Sequence, residues 1–329
     1  VSMFNKNITI SRVLMTLLFA GFLFSCNGAS QPLQQETETN NEGNVQQEVA
    51  YQALFAELDD LVSKSADAPS LTTRYGTQPT DLRGLNKKKT TLRKIWDGLI
   101  IVASDALGGT VGGAAGTLIA GPEGTIGGIL IGGSAASAIA AEELGYDVRP
   151  DTTSGNPGFS IIFSSQLTLK DGSTETIGEG HNNLLSKMKI DGGFSTKHSD
   201  DEMFQRVKTI VTRRYNLKES ELLEKNPLNF KVRDLIGVID RPNVNTYEDL
   251  VHEIASITHL PSNQVNFILT SCINNYQLAL EDKDLKQLNI DISKIVKESS
   301  LPSADKQLLI DATSISANSA LYWKRTANN

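Results

Sequence analysis

Residues 105–141 read DALGGTVGGAAGTLIAGPEGTIGGILIGGSAASAIAA, and this stretch decides the fold. Glycine recurs at every fourth position in two uncharged runs, which are separated by the turn-forming pair Gly121-Pro122. Residues four apart lie on one face of an α-helix, so each run would present a stripe without side chains. The stripes consist of Gly108, Gly112 and Gly116 in the first run and Gly124, Gly128 and Gly132 in the second. The spacing predicts a glycine-zipper helical hairpin over residues 96–145.

Glycine at these positions has an energetic cost that some other interaction must offset. Each interior glycine loses about 1 kcal/mol relative to alanine in a helix, and the first run alone has several. Close backbone approach between two helices can offset this loss. A bilayer can do so as well, because backbone groups without water must stay hydrogen-bonded. Three structures therefore stay open: a membrane-inserted hairpin, a soluble hairpin whose stripes pack on each other or on the domain, and a flexible loop.

The hairpin sequence resembles the glycine-zipper hairpins of bacterial envelope lipoproteins and of some pore-forming or bacteriocin-like proteins. The resemblance covers about 40 residues and rests on the repeated spacing in both runs. It implies that the hairpin contacts a membrane or another helix, including a helix of a second copy of the chain.

The N-terminal residues 3–25 have the features of a signal peptide. Lys6 and Arg12 precede the apolar run 13–24, which is too short to span a bilayer comfortably. The run ends in Leu23-Phe24-Ser25-Cys26, which resembles the bacterial lipobox. This resemblance implies that Cys26 is acylated and anchors the chain in a membrane, and we expect the outer membrane of a Gram-negative bacterium. The alternative is an ordinary secretory signal followed by an incidental cysteine.

The rest of the chain divides into four further segments. Residues 26–48 hold the lipidated cysteine and a polar stretch with little to bury, which predicts a disordered tether. Residues 49–95 contain an amphipathic helix and a basic loop. Residues 146–176 are loop with one short extended segment, and residues 177–329 are a helical domain. The predicted fold class is mainly α: a glycine-zipper hairpin, an irregular C-terminal helical bundle and at most one short β segment.

One polar motif stands out in the C-terminal half. In TIGEGHNNLLSKM, residues 176–188, the pattern I-G-x-x-H-N-x-x-L places His181 and Asn182 near the start of a predicted helix. There the asparagine could cap free backbone N–H groups. The pair could instead form a polar functional site. Together with the glycine-rich segment and the terminal Tyr322-Trp323, the motif resembles a group of secreted Bacteroidota lipoproteins, which implies an architecture and no chemistry.

Composition narrows the possible functions without selecting one. The net charge is −7 and no long basic face is present, so nucleic acid is not an expected partner. His252 and His259 are too far apart on a helix to share one zinc ion, and we expect neither a metal nor another cofactor.

The leading hypothesis is an envelope protein with an interaction or structural role, and we assign no catalytic residue. The alternatives are a membrane-active toxin or bacteriocin-like effector, and a ligand-binding module or enzyme around His181 and Asn182.

Overall fold

The computed structural model describes residues 41–64, 91–146, 158–190, 198–227, 232–280 and 283–327. The predicted signal peptide, Cys26, most of the tether and the basic residues Lys87, Lys88 and Lys89 lie outside the described residues. Within them the fold is mainly α-helical with one two-stranded antiparallel sheet. The predicted fold class is therefore confirmed, including the hairpin and the short β segment.

The elements follow one another along the chain in a simple order. The helices are α1 (Asn41–Lys64), α2 (Thr91–Leu144), α3 (Ile177–Ile190), α4 (Asp200–Arg214), α5 (Val232–Ile236), α6 (Tyr247–Thr258), α7 (Ser262–Leu280), α8 (Lys286–Glu298) and α9 (Ser303–Ala327). The strands are β1 (Gln166–Thr168) and β2 (Thr174–Thr176), paired with Leu167 opposite Glu175. They are joined by a turn at Gly172, whose φ of 86° favours glycine.

The hairpin is α2, which is broken into two arms at Ala120 and Gly121. Both residues have non-helical backbone angles, and Gly121 has a φ of 64°. This left-handed conformation costs glycine little and most other residues considerably more. Pro122 follows directly, where its missing N–H matters least because the second arm is just beginning. The chain therefore reverses within two residues, and the arms run antiparallel.

The hairpin lies inside the helical domain. The C-terminal helix α9 packs along α2 and also contacts α3, α7 and α8. The apolar residues of both arms belong to one continuous core that also includes residues of α1 and of the C-terminal helices. Among the described residues, the predicted hairpin and the predicted helical domain thus share a single core.

The predicted boundary between the tether and the first helix was wrong for a reason that lies in tertiary contacts. Residues 41–48, assigned to the disordered tether, form the first turns of α1. There the Gln47 side chain donates a 2.9 Å hydrogen bond to Asp305, and Asn263 donates to Glu48. Contacts distant in sequence extend the first element, and local propensity could not predict them.

Candidate functional site: the glycine hairpin and its buried polar cluster

The two glycine stripes face each other, so the arms of α2 meet backbone to backbone. The facing pairs are Gly108 with Gly132, Gly112 with Gly128, and Gly116 with Gly124. A Cβ atom placed on Gly108 would lie 2.7 Å from the carbonyl oxygen of Gly132. A Cβ on Gly128 would lie 2.7 Å from the carbonyl carbon of Gly112. Any side chain at these positions would therefore force the arms apart.

Two threonines join the arms near the tip of the hairpin. The hydroxyl oxygens of Thr117 and Thr125 lie 2.6 Å apart across the interface. Each hydroxyl is also within hydrogen-bond distance of a carbonyl four residues earlier in the chain, at Gly113 and Gly121. Because each hydroxyl has one proton, one threonine donates across the interface while the other donates to its own helix, so both find partners within the hairpin.

The outer surface of the hairpin is also largely covered. By length and composition, Trp96–Leu144 could cross a membrane, but 89% of its most apolar window is buried inside the fold. The large exposed side chains are at the tip, where Leu118 is 89% exposed and Ile119 57%. The apolar surface of the hairpin is therefore used within the chain, except at this tip.

A polar cluster is buried farther from the tip, near the middle of the first arm. It contains Asp105 on the first arm of α2, His181 on α3 and Ser319 on α9, and all three are fully buried. The Nε2 atom of His181 lies 3.5 Å from Oδ2 of Asp105, and the Ser319 hydroxyl donates to the same oxygen. The cluster therefore joins three helices that are far apart in sequence.

The second polar residue of the motif, Asn182, joins α3 to α9. Its side-chain nitrogen donates a 2.9 Å hydrogen bond to the backbone carbonyl of Asn318, and its oxygen lies 3.2 Å from Nδ1 of His181. The prediction that Asn182 caps the helix is wrong, because α3 begins at Ile177 and Asn182 lies in its second turn. At the start of the helix, the carboxylate of Glu179 instead accepts hydrogen bonds from the backbone N–H and the hydroxyl of Thr176.

The remaining motif residues are explained by helix packing. Ile177 and Leu185 are fully buried in the core. A Cβ on Gly178 would lie 2.7 Å from the hydroxyl oxygen of Ser314 and closer still to its carbonyl oxygen. Gly178 thus allows α3 to approach α9 closely, so the I-G-x-x-H-N-x-x-L pattern specifies a helix–helix contact.

Burial sets the protonation states within the cluster. It raises the pKa of Asp105 to about 8, which the hydrogen bond from Ser319 opposes. It lowers the pKa of His181 to about 4, which the contact with Asn182 opposes. Burial therefore favours the neutral forms of both side chains, a protonated carboxyl beside a neutral imidazole.

This arrangement does not match the requirements of nucleophilic catalysis. In a serine triad the base contacts the hydroxyl and the carboxylate orients the base. Here Ser319 and His181 both contact the same carboxyl group, and burial favours the neutral form of that group. All three side chains are fully buried, so a substrate could reach them only if a helix moved. The geometry is that of a polar contact between packed helices.

Comparisons with known protein families, curated proteins and solved structures gave no match for this chain. Within the described residues, no group of three or more His, Cys, Asp or Glu side chains is placed to hold a metal ion. The site is therefore interpreted from its own geometry.

Sequence reasoning identified His181 and Asn182 but missed their partners. Asp105 is 76 positions before His181, and Ser319 is 138 positions after it. No local pattern links these three residues. One signal was available: a lone carboxylate at the start of a long uncharged run must find a partner if the run is buried.

Proposed function

We propose that this chain is an exported, lipid-anchored protein of the cell envelope with an interaction or structural role. In this proposal the glycine hairpin packs inside the folded domain and does not cross the bilayer. Acylated Cys26 supplies the membrane attachment, and the proposed destination is the outer membrane of a Gram-negative bacterium.

The proposal depends on the pairing of the two glycine stripes. A stripe without side chains could bind a second copy of the chain or another membrane helix. In this fold each stripe is occupied by the backbone of the other arm. The hairpin's most apolar window is also mostly buried by other helices. This favours helix packing within the chain over membrane insertion, and leaves the tip as the part available to other molecules.

Fractionation of cell membranes tests the proposal. One chain carries its native N-terminus, and a matched chain has residues 1–26 replaced by a signal peptide that is cleaved without lipidation. We expect the native chain to stay with the membranes after carbonate extraction and the matched chain to be released. If the matched chain also resists carbonate, the hairpin is inserted and this proposal fails.

A labelled fatty acid supplied to the cells tests the anchor directly. We expect label in the native chain and none in a chain with Cys26→Ser. Unlabelled native protein that is recovered from the soluble fraction would contradict lipid anchoring. The toxin alternative is tested separately, because it requires the hairpin to leave the core and release dye from vesicles.

The Asp105–His181 contact favours a second candidate, a ligand-binding module that opens around the cluster. An imidazole with a carboxyl group within 3.5 Å is a common feature of binding sites. A histidine-modifying reagent tests whether the site opens, with His252, 65% exposed, as the internal control. We expect rapid modification of His252 and none of His181 in the folded protein. Equal modification of both would favour the second candidate.

A further inference from the structure

The exposed apolar side chains of this protein are not scattered. Within the described residues, six large apolar side chains are exposed, and they come as three pairs: Val45 with Val49, Leu118 with Ile119, and Ile162 with Phe163. The first pair is on α1, the second at the hairpin tip and the third in the turn before β1. Single exposed apolar residues are common on protein surfaces, but three pairs in one region call for a physical reason.

Two of the pairs are held against the first turns of α9. Gln47, between the two valines, donates a 2.9 Å hydrogen bond to Asp305. The backbone carbonyl of Phe163 accepts a 3.1 Å hydrogen bond from the side chain of Gln307. Both α1 and the turn before β1 therefore lie next to the N-terminal end of α9.

The hairpin tip lies at the same end. Contacts along α9 run antiparallel to the first arm: Ser319 meets Asp105, Ile315 is beside Gly109, and Leu308 is beside Gly113. Continuing this progression places the start of α9 beside the last residues of the first arm. The three apolar pairs thus surround one end of the molecule, and we name them together the apolar end face.

The turn that carries Ile162 and Phe163 is fixed in an unfavourable backbone conformation. Phe163 has a φ of 78°, which is rare for a bulky residue. The turn is held by Asp311, which accepts hydrogen bonds of 2.7 Å and 2.6 Å from the backbone and hydroxyl of Ser165. Strain of this kind persists only where the surrounding structure maintains it. The folded structure therefore keeps the side chains of Ile162 and Phe163 exposed.

Charges at this end are mixed. Lys297 lies over the Phe163 ring at 6.0 Å, and Lys306 donates to the Lys297 carbonyl. Glu48, Glu123 and Glu298 are exposed in the neighbouring segments. Because cations and carboxylates are both present, apolar area distinguishes this face more than charge does.

The path of the chain indicates what covers the face. Helix α1 begins at Asn41, four residues before Val45, and Asn41 is 15 residues after Cys26. A chain of that length spans at most about 50 Å. A lipid on Cys26 would therefore hold the apolar end face near the bilayer surface.

We propose that the apolar end face lies on the membrane that anchors the chain, with the hairpin tip and the Ile162-Phe163 turn entering the headgroup region. This inference rests on the proposed lipid anchor for its biological setting. Interfacial side chains of this kind enter a bilayer by roughly 5–10 Å. The hairpin would then be a rigid support that presents Leu118 and Ile119 to lipid, while its arms stay in the core.

A synthetic anchor tests the face independently of native lipidation. Residues 27–329 carry an N-terminal histidine tag and are bound to phosphatidylcholine vesicles that contain a nickel-chelating lipid. An environment-sensitive fluorophore is attached at Leu118→Cys or, as the control, at Asp234→Cys. Asp234 is exposed and is next to Arg233, which pairs with Glu143 at the opposite end of the hairpin. The natural Cys272 is buried and is protected from labelling.

We expect brominated lipids to quench the probe at position 118 and to leave the probe at position 234 unchanged. Equal quenching at both positions, or none at position 118 on vesicles that hold the protein, would overturn the inference. Because the tag replaces the acyl chains, this result does not depend on whether Cys26 is lipidated in cells. Failure of the fatty-acid labelling would overturn the anchor and leave this measurement intact.

Binding without any anchor gives a second measurement. Untagged residues 27–329 should bind vesicles weakly, and Leu118→Ser with Ile119→Ser should lower the partition coefficient by roughly tenfold or more. The loss should be similar on neutral and anionic vesicles, because the charges of the face are mixed. If the double variant changes the oligomeric state while vesicle binding stays the same, the face binds a second copy of the chain and the inference fails.

Discussion

Alanine at Gly112 tests the backbone contact between the arms. A Cβ there would lie 3.0 Å from the carbonyl carbon of Gly128 and closer still to its oxygen. Ordinary contacts of this kind are longer, so the arms must separate by several tenths of an ångström or more. The atoms along the interface then lose part of their dispersion energy, since a gap of about 0.5–1 Å removes a quarter to a half of each contact.

Two opposing effects determine the magnitude. Overpacking of a close contact costs about 1–3 kcal/mol. Alanine regains about 1 kcal/mol of helix propensity. We therefore expect Gly112→Ala to lower the free energy of unfolding by up to about 2 kcal/mol. If the stripe faced solvent, the only effect would be the higher helix propensity of alanine, and the same substitution would stabilise the protein by about 1 kcal/mol.

Gly109 provides the matched control. It is three residues away in the same arm, and the nearest atom to an added Cβ is the Cδ1 of Ile315, at 3.0 Å. The end of a flexible side chain can move by a few tenths of an ångström, so Gly109→Ala should leave stability unchanged or raise it by up to about 1 kcal/mol. Chemical unfolding followed by circular dichroism compares the two variants. If Gly112→Ala is as stable as Gly109→Ala, the arms do not meet backbone to backbone.

The other predictions concern the buried polar groups and the strained turn. Burial raises the pKa of Asp105 from 3.8 to about 8, so its contribution to stability should be lost as the pH rises from about 4 to 8; His181 has the opposite effect between about 4 and 6.5, so Asp105→Asn should flatten the unfolding profile between about 6.5 and 8. Burial lowers the pKa of His181 to about 4, so its contribution is present above about pH 6.5 and is lost as the pH falls toward 4; His181→Gln should make unfolding less sensitive to acid in this range. Gly178→Ala should destabilise the protein by about 1–3 kcal/mol in urea unfolding, because a Cβ there meets Ser314 on α9. Phe163→Gly should keep or raise thermal stability by relieving the φ of 78°, and should lower the vesicle partition coefficient of untagged residues 27–329.

Features that depend on local spacing could be predicted from the sequence. The hairpin follows from the four-residue glycine repeat, and α6 and α7 follow from apolar periodicity and polar residues at their starts. The start of α3 could also have been found, because Thr176 and Glu179 have the spacing of a capping box. The prediction that the helix begins near His181 and Asn182 placed its start too late.

Features that depend on distant contacts could not be predicted. The spacing of Gly108, Gly112 and Gly116 fits a membrane hairpin and a buried one equally well. The difference lies in α9 and its neighbours, which cover the outer surface of the arms. The sequence also does not predict the apolar end face, because its three pairs belong to separate segments that only the fold brings together.

The buried polar cluster bears on how the hairpin is aligned with its neighbouring helices, which the glycine repeat specifies only weakly. A stripe that repeats every four residues looks nearly the same after a shift of one helical turn, so it specifies alignment weakly. The turn at Gly121 fixes the two arms relative to each other. It does not fix the hairpin against α3 and α9, which meet mainly small and aliphatic side chains along the arms.

A shift of one turn, about 5.4 Å, would leave the carboxyl of Asp105 buried without His181 and Ser319. An unpartnered buried polar group costs about 1–3 kcal/mol. We therefore expect Asp105 to disfavour shifted alignments, because they would also remove its hydrogen bond from Ser319, as a single buried polar residue can set the register of a coiled coil.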